Sequence, residues 1–173
     1  MSLLQRLFGG TDPRAALLPL YRAVVDAGRD PGWYRDGGVP DTLDGRFDIL
    51  STVLALVLLR MEDEAGAAKS DTVLLTETFI EDMDGTLRQI GIGDHVVGKH
   101  VGGMMSVLGG RLGAFREAGE AEAFREAVRR NVFRDSPPSE EALDFTSARL
   151  LALREALASF PYAQLIAGRL PAL

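Results

Sequence analysis

The chain has 173 residues and no cysteine. That is enough for one domain with a buried core, and it excludes disulfides, thiolate metal sites and a cysteine nucleophile. Apolar residues make up 46% and charged residues 25%, the balance of an ordinary globular protein and not of a disordered one. A net charge of −6 and a pI near 5.0 argue against a whole-domain nucleic-acid binder, so no DNA partner is expected. The apolar run in Met1–Gly10 is too short for a secretory signal. The longest apolar stretch, Ile49–Leu59, spans eleven residues against the roughly 20 a membrane helix needs. A cytoplasmic protein with at most peripheral membrane contact is expected.

Met1–Phe8 (MSLLQRLF) is a short amphipathic segment closed by Gly9-Gly10, set off as residues 1–10 from a single helical domain over residues 11–173. It reads as a helix tucked onto the domain or as a weak contact for a membrane surface or partner. A second helix is predicted from about Asp12 to Ala27, with Asp12 as cap and Pro13 at the first helical position. Its inner face is Leu17, Leu20, Tyr21, Val24 and Val25. Gly28–Pro40 is a connector whose Trp33 and Tyr34 are expected to pin it to the core, a binding surface being the other reading.

The third helix begins near Asp41 or Thr42. Leu43, Phe47, Leu50, Leu54, Val57 and Met61 form its inner stripe, and Ile49, Val53 and Leu56 widen it almost all round, which predicts the central helix. The fourth runs from about Asp71 to Ile90, with Leu75, Phe79, Met83, Leu87 and Ile90 inward. Gly91-Ile92-Gly93-Asp94 is a tight link, with Asp94 able to cap a fifth helix over about His95–Phe115. A sixth covers about Glu120–Val132. Ser139 can cap a seventh reaching Ser159, and Pro161 opens a short final turn. Short links predict antiparallel neighbours in one bundle.

The chemistry-bearing residues do not assemble into a reaction site. His95 and His100 lie five apart and do not share a helix face as an i, i+4 metal pair would. The fourth helix carries a carboxylate row, Glu77, Glu81 and Asp84, followed by Arg88. Without a Glu-x-x-His partner motif this reads as a solvated face with an Asp84–Arg88 pair, or as an acidic contact surface. Arg116, Arg125, Arg129, Arg130 and Arg134 are diluted by interspersed glutamates.

The fifth helix is unusual. Val97, Val101, Met104, Leu108 and Phe115 make an inner stripe, and a second stripe passes through His95, Lys99, Gly102, Ser106, Gly109 and Gly113. Six glycines fall within sixteen residues, from Gly98 to Gly113, each weakening a helix by roughly 1 kcal/mol against alanine. Such a face allows close packing within the bundle, a groove that accepts a guest helix, or a break into a loop at Gly102-Gly103. Met104 and Met105 beside it have the flexible thioethers of an adaptable contact surface.

Three blocks of the chain resemble the ubiquinol–cytochrome c chaperone family. The first runs from Tyr21 through Ala27-Gly28-Arg29-Asp30-Pro31 to Trp33-Tyr34. The second is Gly38-Val39-Pro40-Asp41-Thr42-Leu43-Asp44-Gly45-Arg46-Phe47-Asp48. The third is Phe79-Ile80-Glu81-Asp82-Met83-Asp84, then Leu87-Arg88, Gly91-Ile92-Gly93-Asp94, Val97, Lys99 and Met104. The resemblance covers about Tyr21–Arg111. It departs from the family pattern at Val53, at Arg88-Gln89 and in the Leu108-Gly109-Gly110-Arg111 run. It implies an all-α fold and binding of newly made cytochrome b for respiratory complex III, near the inner membrane and with the ribosome or a second assembly factor as possible further partners.

The combined expectation is an all-α, single-domain bundle of about six to seven helices, non-enzymatic, with no catalytic, metal or cofactor site. The expected partner-binding residues are Arg46, Asp82, Asp84, Arg88, Asp94, Lys99, Gly102, Met104, Met105, Ser106, Gly109 and Gly113, with Arg46 pairing Asp82 or Asp84 across the bundle. The rival readings are a helical interaction or scaffold module with a different client, a hydrolase using Glu81 and Asp84, and a lipid binder with a deep apolar cavity.

Overall fold

A twenty-residue helix, Leu43–Glu62, forms the axis of the molecule in a computed structural model describing residues 12–64, 66, 68–89, 91, 94–134 and 136–172. The side chains of residues 94–97 are not among those described. In chain order a 3-10 turn, Pro13–Leu17, precedes α1 (Leu18–Gly28), α2 (Gly32–Arg35), α3 (Leu43–Glu62), α4 (Ala68–Gln89), α5 (Asp94–Glu117), α6 (Ala121–Val132), α7 (Glu140–Ala158) and α8 (Tyr162–Ile166). The architecture is an all-α, single-domain bundle, and among the described residues no helix is long and apolar enough to cross a membrane.

The central role of α3 follows from its composition. Ile49, Val53, Leu54, Ala55, Leu56, Val57, Leu58 and Met61 are all buried, because α1, α4, α5, α6 and α7 each pack against it. An apolar surface all round a helix is stable only when covered all round. Its start is fixed by Thr42, whose hydroxyl accepts from the Gly45 N–H at 3.1 Å, with Asp44 in the first turn near the positive end of the helix dipole. The Ser139 hydroxyl caps α7 in the same way, accepting from the Ala142 N–H at 3.2 Å.

The predicted inner faces of α1 and α4 are buried at Leu20, Tyr21, Val24, Leu75, Phe79, Met83 and Leu87. The Met1–Phe8 segment and the expectation for Ile90 lie outside the described residues. Two stripes differ from expectation. Leu43 leads the predicted inner stripe of α3 yet is 50% exposed, because it borders a groove and not the packed core. In α5, Leu108 and Phe115 are buried, whereas Val101 and Met104 are only half-buried.

Candidate functional site

The connector after α1 is held by its own side chains. Trp33 is fully buried and its indole N–H donates to the Ala27 carbonyl at 2.7 Å, while the Tyr34 hydroxyl donates to the Gly28 carbonyl at 3.0 Å. Asp30 accepts from the Gly32 N–H at 2.7 Å and from Arg149 of α7 at 3.0 Å. The Arg149 guanidinium also lies 4.3 Å from the centroid of the Trp33 ring, a cation–π contact. The hydrogen bond from Arg149 is the main reason the Asp30 carboxyl is held below its ordinary range. Trp33 and Tyr34 thus pin the loop, the first of the two readings the sequence allowed.

Fixing that loop creates a groove. Its walls are the connector, the first turns of α3, the last turns of α4 and the N-terminal half of α5, and its volume is about 880 Å³. Phe47, Leu50, Met83, Leu87 and Met104 supply apolar lining, and Arg29, Arg35, Asp41, Asp44, Asp82 and His100 are polar lining residues. Phe47 is backed by Phe79, their ring centroids 6.1 Å apart. Leu43 also lines the groove, so its half-exposed side chain gives the mouth an apolar contact point. Two of the lining cations are already paired: Arg46 Nε lies 2.6 Å from Asp41 Oδ1, and Arg35 lies 2.6 Å from Asp36.

Of the expected partner-binding residues, Arg46, Asp82 and Met104 line the groove. The expected pairing of Arg46 with Asp82 or Asp84 does not form. Arg46 takes Asp41 from the loop just ahead of its own helix, Asp82 accepts from the Tyr21 hydroxyl at 2.7 Å, and Asp84 pairs with Arg88 at 2.7 Å. Each group finds a partner closer along the chain or on α1. Burial, reinforced by the hydrogen bond to Asp82, raises the Tyr21 hydroxyl pKa far above its ordinary value. In the acidic row, Glu81 pairs with Arg14 at 2.7 Å, and neither Glu81 nor Asp84 lines the groove. Arg125 pairs with both Glu140 and Asp144. Among the described residues no group of three or more His, Asp or Glu is arranged to hold a metal ion.

The remaining expected residues lie on α5 outside the groove lining. Lys99, Gly102, Ser106 and Gly109 are exposed, Met105 and Gly113 are half-buried, and the Asp94 side chain is outside the description. The helix runs unbroken through Gly102-Gly103. A β-carbon added at Gly98, Gly102, Gly103, Gly109, Gly110 or Gly113 would meet nothing within 4 Å. Among the described residues intramolecular close packing and a loop break are both absent there, and the face is open.

One cluster escaped the sequence reading. Arg111 of α5 is fully buried and donates to Asp48 Oδ1 at 2.5 Å, to Ser51 Oγ at 2.6 Å and to the Asn131 carbonyl at 2.6 Å. Arg134 adds a second guanidinium on Asp48 at 2.7 Å, and Arg111 sits 5.4 Å from the Phe47 ring centroid. Burial pulls the Arg111 pKa down, and Asp48 works against that shift. The signal was present: Asp48 stands between Phe47 and Ile49, both buried, and a carboxylate there needs a buried cation. Leu43, Arg29 and His100 were likewise missed as groove residues, since a groove is assembled from distant segments.

Fold and site together define an all-α bundle with an open, apolar-lined groove and charged lining residues, the form of a binding protein. The chain belongs to the ubiquinol–cytochrome C chaperone family, whose model matches residues 35–172. It is similar to the crystal structure of the Cbp3 homolog from Brucella abortus, with a TM-score of 0.79 and 30% sequence identity, covering 99% of this chain and 97% of that one. No curated protein sequence matches the chain. These likenesses support a chaperone role in the assembly of respiratory complex III. The family match extends through α6, α7 and α8, beyond the three family-like blocks, and begins after the Tyr21–Tyr34 block.

Proposed function

We propose that this protein is a non-enzymatic assembly chaperone that holds a newly made cytochrome b-type membrane subunit, with the groove as its seat for an apolar segment of that client. The observation that carries the reading is convergence. The three family-like blocks, the first two nearly contiguous and the third on the next two helices, supply most of the lining of one groove: Gly28 to Tyr34, Asp41 to Phe47, and Asp82 to Leu87 with Met104. An apolar lining open to solvent, with half-exposed Leu43 at its mouth, suits a transient apolar guest. Arg46 and Asp82 lie at the groove, and Lys99, Gly102, Met105, Ser106, Gly109 and Gly113 extend a possible contact along the open face of α5.

The test is capture of a cytochrome b-type subunit by the full chain, with photo-crosslinkers at Leu43 and Met104. Crosslinks to the nascent subunit are expected at both positions. The double variant Leu43→Asp/Met104→Asp should reduce capture at least about tenfold while its circular dichroism stays unchanged, because neither side chain is fully buried. Undiminished capture by that variant overturns the reading. Gly102→Leu with Gly109→Leu then maps the guest's extent: reduced capture places the guest on the outer face of α5 as well, and normal capture confines it to the groove.

A further inference from the structure

We infer that the N-terminal half of α5, Gly98–Leu108, is a hinged wall of the groove that swings about Gly109-Gly110, while Arg111 fixes the remainder of the helix in the core. The inference rests on the groove being the binding site.

The helix has two halves of opposite character. From Gly98 to Val107 no residue is buried: Val101, Met104, Met105 and Val107 are half-buried, and the others are exposed. Leu108, the last residue before the glycine pair, is buried. From Arg111 onward the helix is locked: Phe115 lies in the core, packing on Phe124 with ring centroids 5.2 Å apart, and Arg111 is tied to α3 and α6 through Asp48, Ser51 and the Asn131 carbonyl. Displacing the second half would unpair a buried guanidinium from its carboxylate, a strongly unfavourable event. Displacing the first half about the glycine pair withdraws one buried side chain, Leu108, from the core.

The boundary between the halves is Gly109-Gly110, both exposed. Neither glycine is required by packing, since a β-carbon at either position would meet nothing within 4 Å. What glycine contributes there is backbone freedom and a weaker helix, and glycine pairs are among the recognised sites of helix kinks. The mobile half carries His100 and Met104, which line the groove. Its outward swing therefore widens the groove, and its return closes one wall on whatever has entered. A chaperone that must both accept and release a long apolar guest gains a gate whose motion leaves the Arg111–Asp48 anchor in place.

The absence of cysteine permits clean pairwise spin labelling of the full chain. The pair Asp44→Cys/Lys99→Cys spans the groove to the mobile half, and Asp44→Cys/Glu117→Cys spans to the locked half; all three positions are exposed. Electron–electron distance measurements should give a distribution about twofold broader for the first pair, reflecting microsecond-to-millisecond interconversion trapped on freezing. In the Gly109→Ala/Gly110→Ala background it should narrow to the width of the second. Simple fraying at the start of α5 would not narrow on that change. Equal widths in the unmodified background, or a width insensitive to the two alanines, overturn the hinge. Distances behaving as expected, together with undiminished capture by Leu43→Asp/Met104→Asp, uphold the hinge and overturn the groove as the client seat.

Discussion

The molecule uses glycine in two opposite ways, and the contrast explains how the groove is built. Around the connector, glycines mark contact. A β-carbon at Gly45 would overlap the Pro40 carbonyl oxygen, one at Gly37 would lie 2.5 Å from Thr146 Oγ and 2.6 Å from the Trp33 carbonyl oxygen, and one at Gly28 would lie 3.0 Å from the Leu50 backbone. Gly38 adopts φ +62°, in the left-handed region. Along α5 the glycines mark vacancy: among the described residues nothing lies within 4 Å of a β-carbon built on any of the six glycines from Gly98 to Gly113. One set lets the chain fold tightly over the start of α3 and shape a fixed wall. The other leaves the opposite wall open and weakly helical. A glycine in a sequence thus carries no fixed meaning until its neighbours in space are known.

The contrast is broken most severely at the point where the open helix meets the packed core. Arg111→Met, with Asp48 retained, should destabilise the fold by about 3 kcal/mol in urea denaturation, the lower end for breaking a buried pair because Arg134 still holds Asp48. A loss below about 1 kcal/mol, the level of an exposed pair, would show that α5 is not anchored there. The two glycine classes themselves should answer alanine with opposite signs. Gly45→Ala should lower stability by about 1–3 kcal/mol through overpacking against Pro40, whereas Gly110→Ala should raise it by up to about 1 kcal/mol. Matching signs in thermal or urea unfolding would erase the distinction.

The smallest effect concerns the fixed wall and acid. Asp30 has a folded-state pKa below its ordinary value, chiefly because of the hydrogen bond from Arg149. A depressed carboxylate pKa contributes stability that is fully present above the unfolded-state value and is lost as pH falls through the folded-state value. The chain has one tryptophan, and its ring carries the Arg149 guanidinium. Its fluorescence should therefore shift on acidification below the ordinary aspartate range. Asp30→Asn should show the altered emission already at neutral pH. A Trp33 signal unmoved by either change would detach the Asp30–Arg149 contact from the placement of the connector.

Much of the fold was legible locally. Thr42 and Ser139 cap the helices they were expected to cap, because a cap needs only a hydroxyl a few residues from the amide it accepts from. The central position of α3 followed from its near-continuous apolar surface, and the Asp84–Arg88 pair from its i, i+4 spacing. The site was less legible. The family-like blocks contained most of the groove, but Arg46 pairs with Asp41 where a cross-bundle partner was expected, since a carboxylate five residues away competes with one on another helix. The exposure of Leu43 and the half-exposure of Met104 depend on where neighbouring helices stop, which no periodicity encodes.

By itself, then, the sequence determined the helices, their caps, the identity of the central helix and the family likeness, all set by interactions within a few residues or by an apolar pattern read along one axis. Only the tertiary structure decided that the connector, α3, α4 and α5 enclose a groove, that the α5 glycines face open space, and that Arg111 is buried on Asp48. Those outcomes depend on the relative positions of segments distant in sequence, where packing and the desolvation of a single charge select among arrangements that local pattern leaves equally allowed.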